Sequence, residues 1–157
     1  SSAASDVYKR QVELRVLHSG AVTGSQSGEG ESGAENDSSV VLHACVDETT
    51  AVLPGDIEPL GQQVMMATSP PMRAHILKMP HHGSSRQDET WWAATGARVA
   101  IASAGERNTH GHPSKSALRL ASRLGMRTLR TDAGESFAVW VEEGRLHTRA
   151  ARLGGLE

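Results

Sequence analysis

The sequence predicts one layered α/β domain, and three observations carry that expectation. Short β-branched runs (SSVVLHACV, AHILKM, RVAIAS) alternate with stretches of helical spacing such as SKSALRLASRL. Glycine, proline or aspartate punctuates the junctions, as in LPGD, TGAR and RLGM. The 157 residues suffice for one core, and no repeat or second core interrupts the pattern.

Residues 1–11, SSAASDVYKRQ, read on back-translation as the end of a transposon-based sequencing adapter, so they are expected to be a scar and the domain to begin at Val12. The parent protein is then expected to extend upstream. Val12 to His18 alternates apolar and polar positions as a strand does. Residues 19–37 are rich in Gly, Ser and acid and are expected to be a mobile surface loop. Ser38 to Val46 and Thr50 to Leu53 form a hairpin pattern, ended by Pro54-Gly55-Asp56. Ile57 to Ala67 is helix-like, Ala74 to Met79 a buried strand, and Glu89 to Thr95 a helix closed by Gly96. Arg98 to Ser103 is a further buried strand. Pro113 suits a first helical position, followed by a helix from Ser114 to Leu124. Its Ala117, Leu120, Ala121 and Leu124 form an inward stripe, with Lys115, Arg119 and Arg123 along another face. Met126 to Arg130 and Ser136 to Val141 complete the strands. The domain is expected to span 12–145, with a C-terminal tail at 146–157.

Lys and Arg number 16 against 18 Asp and Glu, or 14 against 17 without Lys9, Arg10 and Asp6, which gives no global signal for a polyanionic partner. The basic residues of the last third suit either a polyanion or a solvated surface. Cys45 is the single cysteine, so no internal disulfide is possible, and it reads as a buried small hydrophobe. No apolar run approaches the ~20 residues of a membrane span.

Chemistry concentrates between His75 and His112. Asp56, the pair His81-His82, and His110 with His112 each follow a predicted strand, and loops at the carboxyl ends of strands in an α/β sheet converge on one rim. Imidazole and carboxylate together suit a borderline divalent metal. Taken singly, Asp56 equally suits a helix N-cap and His112 a turn position.

The series ENDSSVVL, AVLPGDIE, AHILKMPHHGSS, NTHGHP and LRTDAGE, in that order across 12–141, resembles the C-terminal metallo-β-lactamase-like domain of ComEC proteins, the membrane channels of DNA uptake in natural competence. The resemblance implies the second half of an αββα sandwich and a metal-dependent phosphodiesterase on the outer face of the bacterial cytoplasmic membrane. It implies two divalent ions, Zn or Mn, with Asp56 as bridging carboxylate and a late histidine ligand, His112 before His110. His81 and His82 then fall where a substrate-side catalytic histidine sits. Implied partners are single-stranded DNA, held without sequence preference by Lys115, Arg119, Arg123 and Ser84, and the channel part of the parent. The family's His-x-His-x-Asp-His motif does not occur in the chain, so the chain alone is expected to lack a complete site and to be inactive. Two other readings compete: a DNA-guiding module without catalysis, and a phosphodiesterase for small molecules such as a phosphocholine ester. The latter would need an aromatic cage.

Overall fold

A computed structural model describes residues 12–20, 33–68 and 72–152, so the expected scar, most of the expected loop and the last residues of the expected tail lie outside the described residues. The chain is α/β with a central mixed sheet. Six strands lie side by side in sequence order: β1 (Val12–His18), β2 (Val41–Val46), β3 (Thr49–Leu53), β4 (Ile76–Lys78), β5 (Val99–Ala102) and β6 (Arg127–Arg130). The first three are antiparallel neighbours, and β3 to β6 run parallel. A second sheet holds two antiparallel strands, β7 (Glu135–Glu142) and β8 (Arg145–Arg152).

Register sorts the side chains by face, because successive residues of a strand point to opposite sides. Val52, Leu77 and Ala100 are cross-strand neighbours and join the core with Trp92, Met65, Leu120 and Ala121. Those last four belong to the helices α2 (Pro59–Thr68), α3 (Glu89–Thr95) and α4 (Lys115–Arg123), which cover that face. The other face carries Ala51, Ile76 and Val99, and the two-stranded sheet meets it where the Val141 amide donates to Thr49 Oγ1 at 2.8 Å. Toward β1 the same face leaves apolar side chains in solvent.

Local chemistry sets the helix ends. Asp88 caps α3 by accepting from the Trp91 amide at 2.9 Å, and Gly96 closes it in the left-handed region at φ 60°. Ser114 caps α4 by accepting from the Ala117 amide at 3.1 Å. Pro113 therefore precedes the cap instead of opening the helix. The inward stripe of α4 is as expected, with Ala117, Leu120 and Ala121 buried.

Three further expectations need correction. Residues 33–37, assigned to a mobile loop, form the short helix α1 (Gly33–Asp37), with Asn36 and Asp37 buried. Asp37 is held because its Oδ1 accepts from the amides of Glu58 and Gly61, at 2.9 and 3.0 Å, capping α2 from a distant part of the chain. Residues 146–152, assigned to a tail, lie in β8 and are ordered by pairing with β7. Cys45 is half-buried, its Sγ 3.5 Å from the Asp47 carbonyl.

Candidate functional site: a histidine rim at the ends of three parallel strands

The carboxyl ends of β3, β4 and β5 open on one edge of the sheet, and each delivers a polar segment there. Asp56 follows β3, His81 and His82 follow β4, and the Ser103 to His112 loop follows β5. The capping of α2 by Asp37 frees the Asp56 carboxylate from the cap role considered above. Its Oδ1 stands 3.5 Å from His82 Nε2 and 3.8 Å from Lys78 Nζ.

The two histidines sit in the segment Pro80–Gly83 with left-handed backbone, φ 45° at His81 and 53° at His82. Backbone bonds hold that shape: the His81 amide donates to the Gly55 carbonyl at 3.1 Å, and the Ser84 amide to the His81 carbonyl at 2.9 Å. The two rings are then directed differently. His81 turns inward, with Nδ1 3.3 Å from Glu58 Oε1 and 3.5 Å from Asn36 Nδ2. Glu58 is only 3% exposed, and its Oε2 pairs with Arg86 Nη1 at 2.9 Å. His82 turns toward the rim, where its Nδ1 donates to the Ser103 carbonyl at 2.6 Å. That bond keeps a proton on Nδ1 and turns Nε2 toward Asp56.

The loop after β5 is stapled by Asn108. Its Nδ2 donates to the Gly105 and His112 carbonyls at 2.9 and 2.7 Å, and its Oδ1 accepts from the His112 amide at 3.0 Å. The His112 ring lies 5.5 Å from that of His81 and 6.1 Å from that of His110, centroid to centroid. Its Nδ1 is buried without a hydrogen-bond partner. Burial pushes the His112 pKa below the usual imidazole value, the neighbouring His81, His110 and His82 push it further, and Asp56 acts against them. Lys78 is lowered from its ordinary value by burial, with Asp56 opposing; its ammonium donates to the Gly55 and Met79 carbonyls, both at 3.2 Å.

The structure thus brings together Asp56, His81, His82, His110 and His112. It separates Ser84, which is buried, with Oγ accepting from Gln87 Nε2 at 3.2 Å and facing the Arg86 carbonyl, so that it has no face toward a ligand. Lys115, Arg119 and Arg123 are exposed along α4, but Arg123 is committed to Glu89 Oε2 at 2.7 Å. A cavity of about 300 Å³ lies beside the rim, between His82, Ser103, Asn108 and His112. Lys78, Glu58, Arg86 and Asn108 belong to the site although the sequence singles none of them out; Glu58, Lys78 and Asn108 had a signal, in lying inside the motifs quoted above, and Arg86 had none.

Two donors facing each other at 3.5 Å, with the second nitrogen of His82 bonded to a carbonyl, suit a shared cation, since ligating histidines commonly anchor their other ring N–H in this way. Among the described residues, however, no group of three or more His, Cys, Asp or Glu is placed to hold a metal ion. Asp56 and His82 therefore fit part of a ligand set, not a complete one. The other histidines outside the rim have structural partners: His75 Nδ1 with Thr50 Oγ1 at 2.8 Å, His43 with the Arg73 carbonyl at 3.3 Å, His18 with the Asp37 carbonyl at 3.1 Å, and the His147 ring stacked on Trp140.

Among known proteins, the chain is 37% identical over 100 residues to ComE operon protein 3 of Bacillus subtilis (strain 168), a match that covers 63% of this chain and 13% of that protein. No family model and no solved structure matches. Among the described residues no helix is long and apolar enough to cross a membrane.

Proposed function

We propose that this chain is part of a competence protein that handles DNA during uptake, and that its histidine rim is the substrate-side portion of a metal-dependent phosphodiesterase site. The likeness to ComE operon protein 3 supports the first part. The approach of His82 Nε2 to Asp56 Oδ1 at 3.5 Å carries the second.

That approach also supports an exchange of roles among the histidines. His82 with Asp56 is the better pair to hold an ion, because His112 makes no ion pair with Asp56 among the described residues. A divalent ion bound there would neutralise phosphodiester charge. His112, kept neutral by burial and by the neighbouring imidazoles, lines the cavity beside the phosphate position. His81, backed by the Glu58 carboxylate, is the candidate to protonate a leaving oxygen. Lys115 and Arg119 begin a basic face one cap residue beyond the rim, suited to backbone phosphates and carrying no sequence information. The remaining donors would come from the parent protein outside the described residues, so the chain alone is expected not to cleave DNA.

The reading as a DNA-guiding module without catalysis has two observations in its favour: no group of three metal ligands among the described residues, and a lysine ammonium 3.8 Å from Asp56. The small-molecule reading has less support, since Trp91 and Trp92 are buried in the core and the exposed Trp140 stacks on His147 in the second sheet. The test is cleavage of single-stranded DNA by the parent protein with added Mn²⁺ or Zn²⁺, beside Asp56→Asn and His82→Gly. Metal-dependent cleavage lost in both variants is the expected result. A folded parent that binds DNA without cutting it, whatever the ion, would leave the guiding module.

A further inference from the structure

Strand β1 forms one edge of the large sheet and β6 the other; among the described residues no strand pairs with the outer side of β1, and its segment Val12-Glu13-Leu14-Arg15-Val16 is symmetric in an unusual way. Read outward from Leu14, it has opposite charges at one step and valine at two steps. All five residues are exposed, with Val12, Leu14 and Val16 at 58, 57 and 58%. Such an edge presents unpaired backbone N–H and C=O groups to any strand that can match it.

We propose that β1 pairs with β1 of a second copy of this chain, antiparallel, about a two-fold axis through Leu14. In that register each Glu13 stands opposite an Arg15, each Val12 opposite a Val16, and Leu14 opposite its own equivalent. Residues directly opposite in an antiparallel ladder share a face with Cβ atoms about 4.5–5.5 Å apart. Both ion pairs therefore form on one side and the three apolar contacts on the other. The apolar contacts join the exposed face that continues through Val46 and Leu53 of β2 and β3.

Charge complementarity selects this occupant. A parallel pairing in register would set Glu13 against Glu13 and Arg15 against Arg15, and like charges directly opposite destabilise a ladder. A shift by two residues would oppose like charges or leave one of each pair unmatched. Among the described residues neither charge has an ion pair that would compete: Glu13 is opposite Cys45 and Arg15 opposite His43 on β2. The regular pairing of β1 with β2 runs from Val12 to Val16, with the register shift only beyond Val16, so the symmetric segment is also the straight one. The interface is isologous and closes at two copies.

Sedimentation over a concentration series up to about 1 mM, the weak end of specific association, tests this on the full chain. The wild type is expected to dimerise. Glu13→Arg, which sets arginine against arginine twice, is expected to weaken the dimer about tenfold or more. Glu13→Arg with Arg15→Glu restores both ion pairs in reverse and is expected to recover the wild-type constant within about threefold. Circular dichroism and thermal midpoint check that the variants fold, which the exposure of β1 favours. A chain that stays monomeric throughout, a dimer indifferent to Glu13→Arg, or a loss that the reversed pair does not recover would each overturn the proposal.

Discussion

Gly83 joins the two histidine segments, and replacing it by alanine measures how tightly. At φ 86° it occupies backbone that L residues resist, and a Cβ built there would lie 2.8 Å from Pro113 Cβ and 3.2 Å from Met79 Sδ. Pro113 cannot yield alone, because the adjacent Ser114 amide donates to the Gly83 carbonyl at 2.8 Å. The backbone cost of a positive φ is about 1–2 kcal/mol. Overpacking against a fixed neighbour adds about 1–3 kcal/mol. Gly125 is the control: its φ is 71° and nothing lies within 4 Å of its would-be Cβ, so only the backbone cost applies there. Gly83→Ala is expected to destabilise by about 2–5 kcal/mol and Gly125→Ala by about 1–2 kcal/mol. Urea unfolding followed by the fluorescence of the buried Trp91 and Trp92 reads both, and with a slope of about 2 kcal/mol/M the midpoints should fall by about 1–2.5 M and about 0.5–1 M. Equal losses at the two sites would refute the close contact of Gly83 with Pro113.

Trp92 is wholly buried in the core, so Trp92→Ala is expected to cost about 3–5 kcal/mol in the same unfolding experiment. Glu58→Ala leaves the inward ring of His81 and the Asn36 amide without their carboxylate and is expected to cost about 1.5–3 kcal/mol. Asp132 is held below the usual carboxylate range by its hydrogen bonds from Arg130, one of them at 3.0 Å. A carboxylate with a depressed folded-state pKa stabilises fully above its unfolded value of 3.8 and loses that stabilisation as pH falls below it. A pH series of thermal midpoints should accordingly flatten at acid pH in Asp132→Asn. If the parent binds single-stranded DNA as proposed, Lys115→Ala and Arg119→Ala should each lower the salt slope of binding by about 1.

The parts of the fold legible in the sequence are those fixed by neighbours in the chain. Helix α3 was expected over Glu89–Thr95 and lies there, because Asp88 caps it and Gly96 stops it locally. The β2–β3 hairpin likewise follows from two β-branched runs around a polar turn. Elements ordered from a distance were missed. Helix α1 has the Gly, Ser and acid composition of a loop and is held because Asp37 meets the amides of Glu58 and Gly61. Strand β8 has weak alternation of its own and is defined by β7. The site divides in the same way. That Asp56, His81, His82 and His112 share a rim followed from their positions after strands. The burial of Ser84 and the approach of Lys78 to Asp56 depend on side-chain directions that no spacing encodes.

The left-handed backbone at His81 and His82 also bears on how this site can be dissected. For most side chains that conformation costs about 1–2 kcal/mol, while glycine adopts it freely. Alanine at either position keeps the strain and removes the ring's bonds, so a loss of activity would be confounded with a loss of fold. Glycine removes the same ring and relieves the strain. A mutagenesis pair of His82→Ala and His82→Gly therefore separates chemistry from scaffold, with activity absent from both and stability higher in the second. The chain retains two imidazoles where its backbone would favour the residue that has no side chain at all.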